Sequence, residues 1–423
     1  MPNIALIIGS VWPEPRSSAA GSHMLQIIEQ LLLHNYNVVF ASAAKPGENR
    51  ADLATIGILE KTIALNCPSF DNWVHELNPD VVFFDRFMTE EQFGWRVEAQ
   101  CPQALRILET SDLHCLRMAR QMLLKPWLAA GHDSTPALNE DALYMAMLQQ
   151  DIALREIAAI YRCDLSLIIS RFEMHLLAHC FSVPMDLLLY CPFLLDSPDK
   201  NNWGGIEQRQ HFISIGNFLH APNWDAVQWL KKSIWPKIHA QLPTAQLHVY
   251  GAYTPQKARE LNNEREGFLI KGWAEDALTV MAQARVCLAP LRFGAGIKGK
   301  LVDAMLAGTP SVTTSIGAES MHATLPWNGL IADETQEFAN AAVRLYQDNA
   351  LWLQAQQHGN TILQQCFNKA GHGLALIQQL KSIRQNIERH RQKNFTGSML
   401  RHHQHKSTYY MARWIEEKNS KIE

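Results

Sequence analysis

Three glycines and two lysines in the second half of the sequence could bind phosphate. The glycines are Gly294, Gly296 and Gly299, and Lys298 and Lys300 flank the last of them. Glycine lets a backbone approach a ligand closely, and the first N–H groups of a helix are unpaired and partly positive. A glycine loop before a helix can therefore hold an anion. The other interpretation is a loop built only for tight turning, with both lysines in solvent.

Asp303 lies one turn into the helix that the same stretch predicts over 300–307. Its carboxylate could accept hydrogen bonds from the hydroxyl groups of a sugar. The second half of the chain therefore has groups that suit both parts of a nucleotide, the phosphate and the ribose.

The first half of the chain has its candidate polar groups at the end of a predicted strand. The strand over 105–108 runs into a segment that contains Ser111, Asp112 and His114. Strand ends of parallel sheets face clefts where substrates bind. Asp112 and His114 could contact a transferred group or an acceptor hydroxyl, whereas Ser111 or Asp112 could instead cap the next helix. Ser170 and Glu173 have the spacing of a capping box, which favours a structural role.

Alternating strands and helices must position these groups. Short runs that are apolar on both faces alternate with longer helical patterns, which indicates parallel sheets covered on both sides. The predicted strands are 3–8, 37–42, 81–84, 105–108 and 165–169, then 212–215, 246–250, 268–270, 286–289, 310–313 and 330–331. The predicted helices are 21–35, one from residue 172, 224–239 and 300–307.

The alternation restarts after a polar, breaker-rich stretch over 196–205. We therefore predict an α/β fold of two doubly wound, Rossmann-like domains that face a cleft, followed by a C-terminal helical extension. The predicted boundaries are 1–200, 201–380 and 381–423.

The C-terminal segment 381–423 is basic, with ten Lys and Arg against four Glu. One interpretation is a solvated helix with a loose tail. The other is a basic surface that meets an anionic membrane or partner. The histidine cluster over 402–405 gives no fixed ligand geometry, so we expect no metal there.

Composition excludes several classes of protein. The chain has 423 residues, a net charge of −3 and 47% hydrophobic residues, so nucleic-acid binding over its whole surface is excluded. No stretch is apolar enough to span a membrane, and the N-terminus lacks the pattern of a signal peptide. The eight cysteines are far apart, as in a protein of the reducing cytoplasm.

The stretch 286–321 resembles the donor-binding motif of retaining glycosyltransferases of family four, which have the two-domain GT-B fold. The acid that begins a Glu-Ala-Met-Ala-x-Gly-x-Pro run in that family is Asp303 in the run Asp303-Ala-Met-Leu-Ala-Gly-Thr-Pro310. The resemblance implies that Asp303 binds the nucleotide ribose. The first Glu of the family's Glu-x7-Glu signature falls at Ala295, so that contact to the sugar is absent. A subset of the family has a Gly-x-Gly-Ile-x-x-Lys loop, which Gly294-Ala-Gly-Ile-Lys-Gly-Lys300 resembles.

Other segments between 206 and 380 resemble the same donor domain. The stretch 211–223 is similar to its opening loop, where Asn217 and Asn223 replace the basic residues that many members carry for the diphosphate. Lys298 and Lys300 are the substitutes for that charge. The turn at Trp273 is similar to the one that meets the base, so Trp273 either stacks on the base or fills the core. The donor-binding residues that the resemblance implies are Gly216, Asn217, Trp273, Gly294, Gly296, Ile297, Leu301, Asp303 and Glu319.

For the first half, the resemblance implies an acceptor-binding domain with glycines near the donor phosphates, here Gly9 and Gly21. Arg16 lies in the same loop, either as a phosphate ligand or as a solvated side chain. With Asp112 they are the candidate cleft residues, and the catalytic candidates are Lys298, Lys300 and His114.

The function implied is transfer of a sugar from a nucleotide-sugar donor to a glycan, lipid or other acceptor, with no cofactor or metal. Retention, a cytoplasmic location and peripheral membrane contact through the basic tail are further expectations, and nucleic acid is not expected as a partner. The alternatives are a nucleotide-sugar-binding protein without turnover and a GT-B-fold epimerase.

Overall fold

The computed structural model describes residues 3–198 and 203–420, which form two parallel β-sheets with helices on both faces of each. The first sheet has seven strands: β1 Asn3–Gly9, β2 Tyr36–Ser42, β3 Leu59–Thr62, β4 Val81–Asp85, β5 Leu105–Glu109, β6 Leu165–Ile168 and β7 Leu188–Tyr190. The second has six: β8 Gln210–Ile215, β9 Leu247–Tyr250, β10 Phe268–Gly272, β11 Ala284–Ala289, β12 Ser311–Thr313 and β13 Gly329–Ile331.

The helices follow in chain order. Those of the first half are α1 Ala19–Leu33, α2 Ser69–Leu77, α3 Phe87–Gln100, α4 His114–Ala129, α5 Glu140–Leu148, α6 Asp151–Arg162 and α7 Arg171–His179. Those between 203 and 366 are α8 Ala221–Trp229, α9 Trp235–Gln241, α10 Gln256–Arg259, α11 Ala277–Gln283, α12 Gly299–Leu306, α13 Ser315–Ala318, α14 Thr335–Gln347 and α15 Asn349–Cys366. The last are α16 Lys369–Gln385, α17 Ile387–Lys393, α18 Phe395–Leu400 and α19 Lys406–Ser420.

Both sheets are doubly wound, as the sequence predicts. Their strand orders are β3-β2-β1-β4-β5-β6-β7 and β10-β9-β8-β11-β12-β13. The order in which strands are added therefore reverses between β1 and β4 and again between β8 and β11. Strand β1 shows why its sequence is apolar throughout: Leu6 and Ile8 pack into one core, and Ala5 and Ile7 pack into the core on the other face. The predicted fold class is confirmed.

Three elements differ from the prediction. β3 and β7 are absent from it, because β3 is largely exposed and polar and β7 has only three residues. The single helix predicted over 224–239 is two helices, α8 and α9, joined by a wide π-helical turn over Leu230–Ile234. Pro236 follows that turn, and its missing N–H fits the start of a new helix.

The last helices return to the first sheet. Leu376, Ile377 and Leu380 of α16 are buried in the core that holds Ile7. Further along, Arg391 of α17 forms an ion pair with the buried Asp164 at 2.8 Å, and Glu416 of α19 forms one with the buried Arg96 at 2.6 Å. The segment after residue 380 is therefore packed against the first half of the chain, and the expectation of a loose tail is wrong up to residue 420.

Part of the predicted linker, residues 199–202, lies outside the described residues, and the division at residue 200 stays a prediction. Within the described ranges, no helix is long and apolar enough to cross a membrane.

Candidate active site

The donor loop, residues 290–298, joins β11 to α12 and lies against the first half of the chain. Gly296 has a φ of 63°, a conformation that favours glycine. A Cβ atom there would lie 2.9 Å from the Cβ of Asp112, so a larger residue would not fit. Gly294 has a φ of 154°. The glycines therefore allow the loop to meet the segment that carries Asp112.

Lys298 is buried at the end of this loop, where it is the N-terminal cap residue of α12. Its Nζ donates a hydrogen bond to the carbonyl oxygen of Gly296 at 2.8 Å. Burial lowers the pKa of Lys298 to about 8, although Glu319 acts in the opposite direction. The interpretation in which this lysine is solvated is therefore wrong.

Lys300 extends from the first turn of α12 to the loop between β8 and α8. Its Nζ donates to Oδ1 of Asn223 at 2.7 Å, and a Cβ placed on Gly216 would lie 2.7 Å from the same nitrogen. Asn223 in turn donates to the carbonyl of Asn217 at 2.9 Å. Burial lowers the pKa of Lys300 to about 8. The structure thus brings together the lysine and the two asparagines that the sequence links to the diphosphate.

The remaining predicted donor residues differ in their surroundings. Burial, and then the charge of Asp276, raise the pKa of Asp303 to about 7. Trp273 is 45% exposed, so the interpretation in which it fills the core is wrong. The side chains of Ile297 and Leu301 are buried in an apolar cluster, which leaves only their backbones available to a ligand.

On the other side of the cleft, a polar segment follows β5. Asp112 forms an ion pair with Arg117, and its Oδ1 lies 3.5 Å from Nε2 of His114. Burial opposes the charge of Asp112, but Arg117 and His114 outweigh it and lower the pKa of that carboxyl. Burial lowers the pKa of His114 to about 4, so its ring is neutral at pH 7.

Neither Ser111 nor Asp112 caps helix α4. Glu156 accepts hydrogen bonds from the backbone N–H groups of His114 and Cys115, at 2.8 and 2.7 Å. Because the side chain of Glu156 on α6 satisfies the start of the helix, the helix-capping alternative is wrong.

Arg120 is a residue that the sequence did not single out. It is buried on α4, and its two terminal nitrogens donate to the carboxylate of Glu319 at 3.0 and 2.5 Å. One of them also donates to the carbonyl of Gly294 at 2.8 Å. The predicted donor residue Glu319 is therefore held by the first half of the chain. Residue spacing carries no signal for a pair that lies 199 positions apart.

Glu173 on α7 forms a second contact across the cleft. Its Oε1 accepts from the N–H of Gly296 at 2.7 Å and from that of Leu113 at 3.1 Å. Ser170 accepts from the N–H of Glu173, as a capping box requires, but the Glu173 side chain does not return to Ser170. The capping role predicted for Ser170 is therefore correct, whereas the side chain of Glu173 joins the two halves of the chain instead of capping its own helix. Burial, and then the charge of Asp112, raise the pKa of Glu173 to about 8.

The loop after β1 forms one lip of the cleft. A Cβ on Gly9 would lie 2.4 Å from the ring of Phe40, and one on Gly21 would lie 2.6 Å from the backbone of Glu14, so both glycines are needed for packing. Arg16 is largely exposed and lies 4.0 Å from Glu275 on the opposite lip. Its interpretation as a solvated arginine fits this position.

A second unpredicted arginine lies at the end of β4. Arg86 has a φ of 72°, a strained value for this residue, and donates to the hydroxyl of Ser10 at 2.9 Å. Ser10 donates in turn to Asp85 at 2.6 Å. The pKa of Arg86 is raised, mainly by the negative charge of Asp85. A strained residue at the carboxyl end of a central strand is a candidate for a functional role.

These groups could do chemistry on a charged leaving group. Two lysines, one buried and one partly buried, and the start of α12 provide fixed positive potential at one side of the cleft. Neutral His114 and charged Asp112 face them from the other. In the described part of the chain, no group of three His, Cys, Asp or Glu side chains is placed to hold a metal ion.

Comparison with known families finds one match. Residues 209–348, about a third of the chain, match the family model of glycosyl transferases group 1. This segment contains the donor loop and its lysines. No curated protein matches the chain.

Solved structures match the chain over most of its length. HepE from Anabaena, in complex with UDP and glucose, has a TM-score of 0.62 and 14% identity over 90% of this chain and 100% of its own. Sucrose-phosphate synthase from Thermosynechococcus elongatus has a TM-score of 0.66 and 16% identity over 90% and 99%. The lipopolysaccharide outer core galactosyltransferase WaaB, in its apo form, has a TM-score of 0.56 and 12% identity over 90% and 99%. At such identities the likeness shows the fold alone.

The chain therefore has the GT-B fold, and its residues 209–348 match the family of glycosyl transferases group 1. This confirms the predicted fold and the predicted enzyme class, a glycosyltransferase.

Proposed function

We propose that the chain transfers a sugar from a nucleoside diphosphate donor to an acceptor in the cleft, with retention at the anomeric carbon. One observation carries the proposal: Lys298 is buried at the start of α12, and Lys300 reaches Asn223 beside Gly216. Negative charge grows on the diphosphate as it leaves. Preorganised positive groups in a site shielded from water stabilise that charge most effectively.

The donor that we propose is a UDP-sugar. HepE, whose fold is similar, has been solved with UDP and with UDP-glucose. We infer that Asp303 binds the ribose, because it lies one turn beyond the lysines on the same helix. Trp273, nearly half exposed, is then free to stack on the base.

We infer that transfer needs no metal ion, because the two lysines and the helix start supply the charge that a metal would supply elsewhere. The expected result is full activity in the presence of EDTA. Activity that is lost with EDTA and restored by a divalent cation would contradict this inference.

The acceptor hydroxyl approaches on the side from which the diphosphate leaves, and a donor phosphate oxygen takes its proton. We propose that Asp112 and His114 position the acceptor or the transferred sugar. The neutral ring of His114 suits hydrogen bonding better than proton transfer at pH 7, because its pKa is near 4. The resemblance to retaining glycosyltransferases supports this stereochemistry.

A second candidate is a nucleotide-sugar-binding protein without turnover. It is favoured by Ala295, which stands where the family's first acid would contact the sugar, and by Asn217, which stands where many members have a basic residue. The two candidates differ in whether bound UDP-glucose is consumed.

Thermal stabilisation by UDP, GDP, ADP, TDP and CMP tests the donor. A ligand at 100 times its Kd stabilises the folded state by about 2.7 kcal/mol, which is easily measured. Incubation of the chain with the matching nucleotide sugar, followed by NMR, then tests turnover. Slow release of free sugar, first formed with the anomeric configuration of the donor, is the expected result. An epimerised donor would indicate an epimerase, and tight binding with no reaction would indicate the binding protein.

We also infer a cytoplasmic location. All eight cysteines are free, and burial raises the pKa of several of them, as in Cys287. Inert thiols of this kind suit a reducing compartment.

A further inference from the structure

The last helix carries a row of large apolar side chains that point away from the rest of the protein. On one side of α19, Tyr409 packs edge-on against Trp95, Ala412 is buried, and Glu416 binds Arg96. Successive residues of an α-helix are about 100° apart, so residues 410, 411, 414 and 418 lie on the opposite side. The exposed fractions agree, since Tyr410 is 68% and Trp414 is 61% exposed.

Helix α18, which precedes α19 in the same C-terminal segment, exposes two further apolar side chains. Phe395 is 77% exposed, and Met399, one turn later, is also exposed. The other side of α18 packs closely against α6. A Cβ atom on Gly397 would lie 2.1 Å from the carbonyl oxygen of Tyr161, so only glycine fits there. We call the five exposed side chains the apolar face: Phe395, Met399, Tyr410, Met411 and Trp414.

Two lysines lie on the same helix as the apolar face. Lys406 and Lys418 are exposed on α19, and Nζ of Lys418 lies over the ring of Trp414 at 5.3 Å. The helix contains two carboxylates, Glu416 and Glu417, and the first of these turns inward to Arg96. Other basic side chains of the segment pair with acids of the first half: Arg384, Arg391, Lys393 and Arg401.

We propose that the apolar face docks on an anionic lipid bilayer. Tryptophan and tyrosine are favoured at the boundary between lipid and water, and a helix with an apolar face and lysines beside it is typical of peripheral membrane contact. The lysines add attraction to anionic headgroups within a Debye length of the surface. A second copy of the chain fits less well, because a symmetric contact would bring the lysines of one copy against those of the other.

The charge of the segment alone predicts contact with an anionic surface through electrostatics. The structure changes that expectation, because acids of the first half already bind three of its arginines. The apolar face therefore supplies most of the attachment, and the two lysines select the kind of lipid. For its biological use, docking rests on the proposed function, since it would bring the enzyme to the membrane that carries a lipid-linked acceptor.

The experiment uses the full chain and sedimentation with vesicles of phosphatidylcholine, with or without phosphatidylglycerol. The test variant is Phe395→Ser, Tyr410→Ser and Trp414→Ser together. The matched control exchanges three exposed leucines elsewhere: Leu33, Leu353 and Leu374, each to Ser. We expect the unaltered chain and the control to bind anionic vesicles, and the test variant to lose at least about tenfold in partition coefficient.

Two further variants separate the contributions. Lys406→Gln with Lys418→Gln is expected to remove the preference for phosphatidylglycerol and to retain most of the binding, now equal for both kinds of vesicle. Trp414→Phe is expected to reduce the quenching of tryptophan fluorescence by brominated lipid, which reports contact of that side chain with the bilayer.

The proposal is overturned if the unaltered chain ignores anionic vesicles at low salt, or if the test variant binds as well as the control. Self-association that the test variant abolishes would assign the face to a second copy instead. Stabilisation by UDP, measured on the same samples, keeps this test separate from the proposed function. If UDP fails to stabilise any variant while vesicle binding follows the expected pattern, the function is wrong and the docking surface stands.

Discussion

Lys298 and Lys300 each have a pKa of about 8, because burial disfavours their charged forms. Both are charged below that pH and lose the charge as the pH rises through 8. A bound diphosphate favours the charged form and raises both pKa values. Donor binding near pH 8 to 9 is therefore coupled to the uptake of protons, and the affinity falls as the pH increases.

Calorimetric titration with UDP-glucose in two buffers of different ionisation enthalpy measures this uptake. UDP-glucose is preferred to UDP because it has no terminal phosphate that titrates near pH 6. We expect uptake near pH 8.5 and a reduced value in Lys300→Ala. The exposed Lys237→Ala on α9 is the control and should behave as the unaltered chain does. Equal proton uptake in all three proteins would place the diphosphate away from these lysines.

Lys300 and Asp303 differ in which state of the reaction they stabilise. A lysine that meets the developing charge contributes most in the transition state, so Lys300→Ala should reduce kcat by ~10²–10³ and affect donor affinity less. Asp303→Ala should weaken UDP and UDP-sugar by the same factor, since the ribose is held equally before and after transfer. Steady-state kinetics and titration with UDP separate the two patterns. A loss of kcat with unchanged UDP affinity in Asp303→Ala would contradict the ribose assignment.

At the scale of elements, the donor loop keeps its shape through contacts from the first half of the chain. Glu173 on α7 receives the N–H groups of Gly296 and Leu113, and Arg120 on α4 binds Glu319 and the Gly294 carbonyl. They are positioning residues, which hold the shape of the loop from the first half of the chain.

Glu173→Ala leaves two buried N–H groups without an acceptor, whereas Glu173→Gln retains an amide oxygen for them. The alanine variant should therefore lower kcat by at least about tenfold, with UDP affinity within a few-fold, because a small displacement of a site lowers rate more than binding. The glutamine variant should restore most of the rate. A purely structural role predicts another pattern, in which both variants lose thermal stability and the remaining folded protein has the normal kcat.

The sequence predicts elements better than it predicts contacts between them. Apolar runs identify eleven of the thirteen strands, because central strands such as β1 bury both faces. The glycine loop draws attention to Lys298 and Lys300, since a glycine-rich stretch before a helix is a local pattern. Arg120 and Glu319 leave none, because an ion pair across a cleft depends on how two sheets meet. The sequence does not predict Arg86 either, because its strained backbone depends on the conformation of the turn after β4.

At the scale of the whole molecule, the last described helices lie against the first sheet and its helices. Helix α16 crosses from the second sheet to the first, and α17 to α19 cover the side of the first sheet formed by α3 and α6. The last forty residues therefore hold the first half together as well as presenting the apolar face. Deletion of the segment would expose Asp164 without Arg391 and Arg96 without Glu416, so single substitutions are the sharper test of what the segment does.

The ion pair between Arg391 and Asp164 tests this view of the C-terminal segment. Asp164 is almost fully buried and also lies near Arg106, while Arg391 is mostly buried and further donates to the carbonyls of Pro102 and Ala104. Arg391→Ala removes one partner of a buried carboxylate and should lower the free energy of unfolding by ~1–3 kcal/mol. Lys393→Ala is the matched control, because Lys393 and Asp186 are both exposed and such pairs contribute at most ~1 kcal/mol. Chemical denaturation at neutral pH measures both. If Arg391→Ala unfolds at the same denaturant concentration as Lys393→Ala, the segment is only a covering layer, and its helices could then be removed without loss to the first half of the chain.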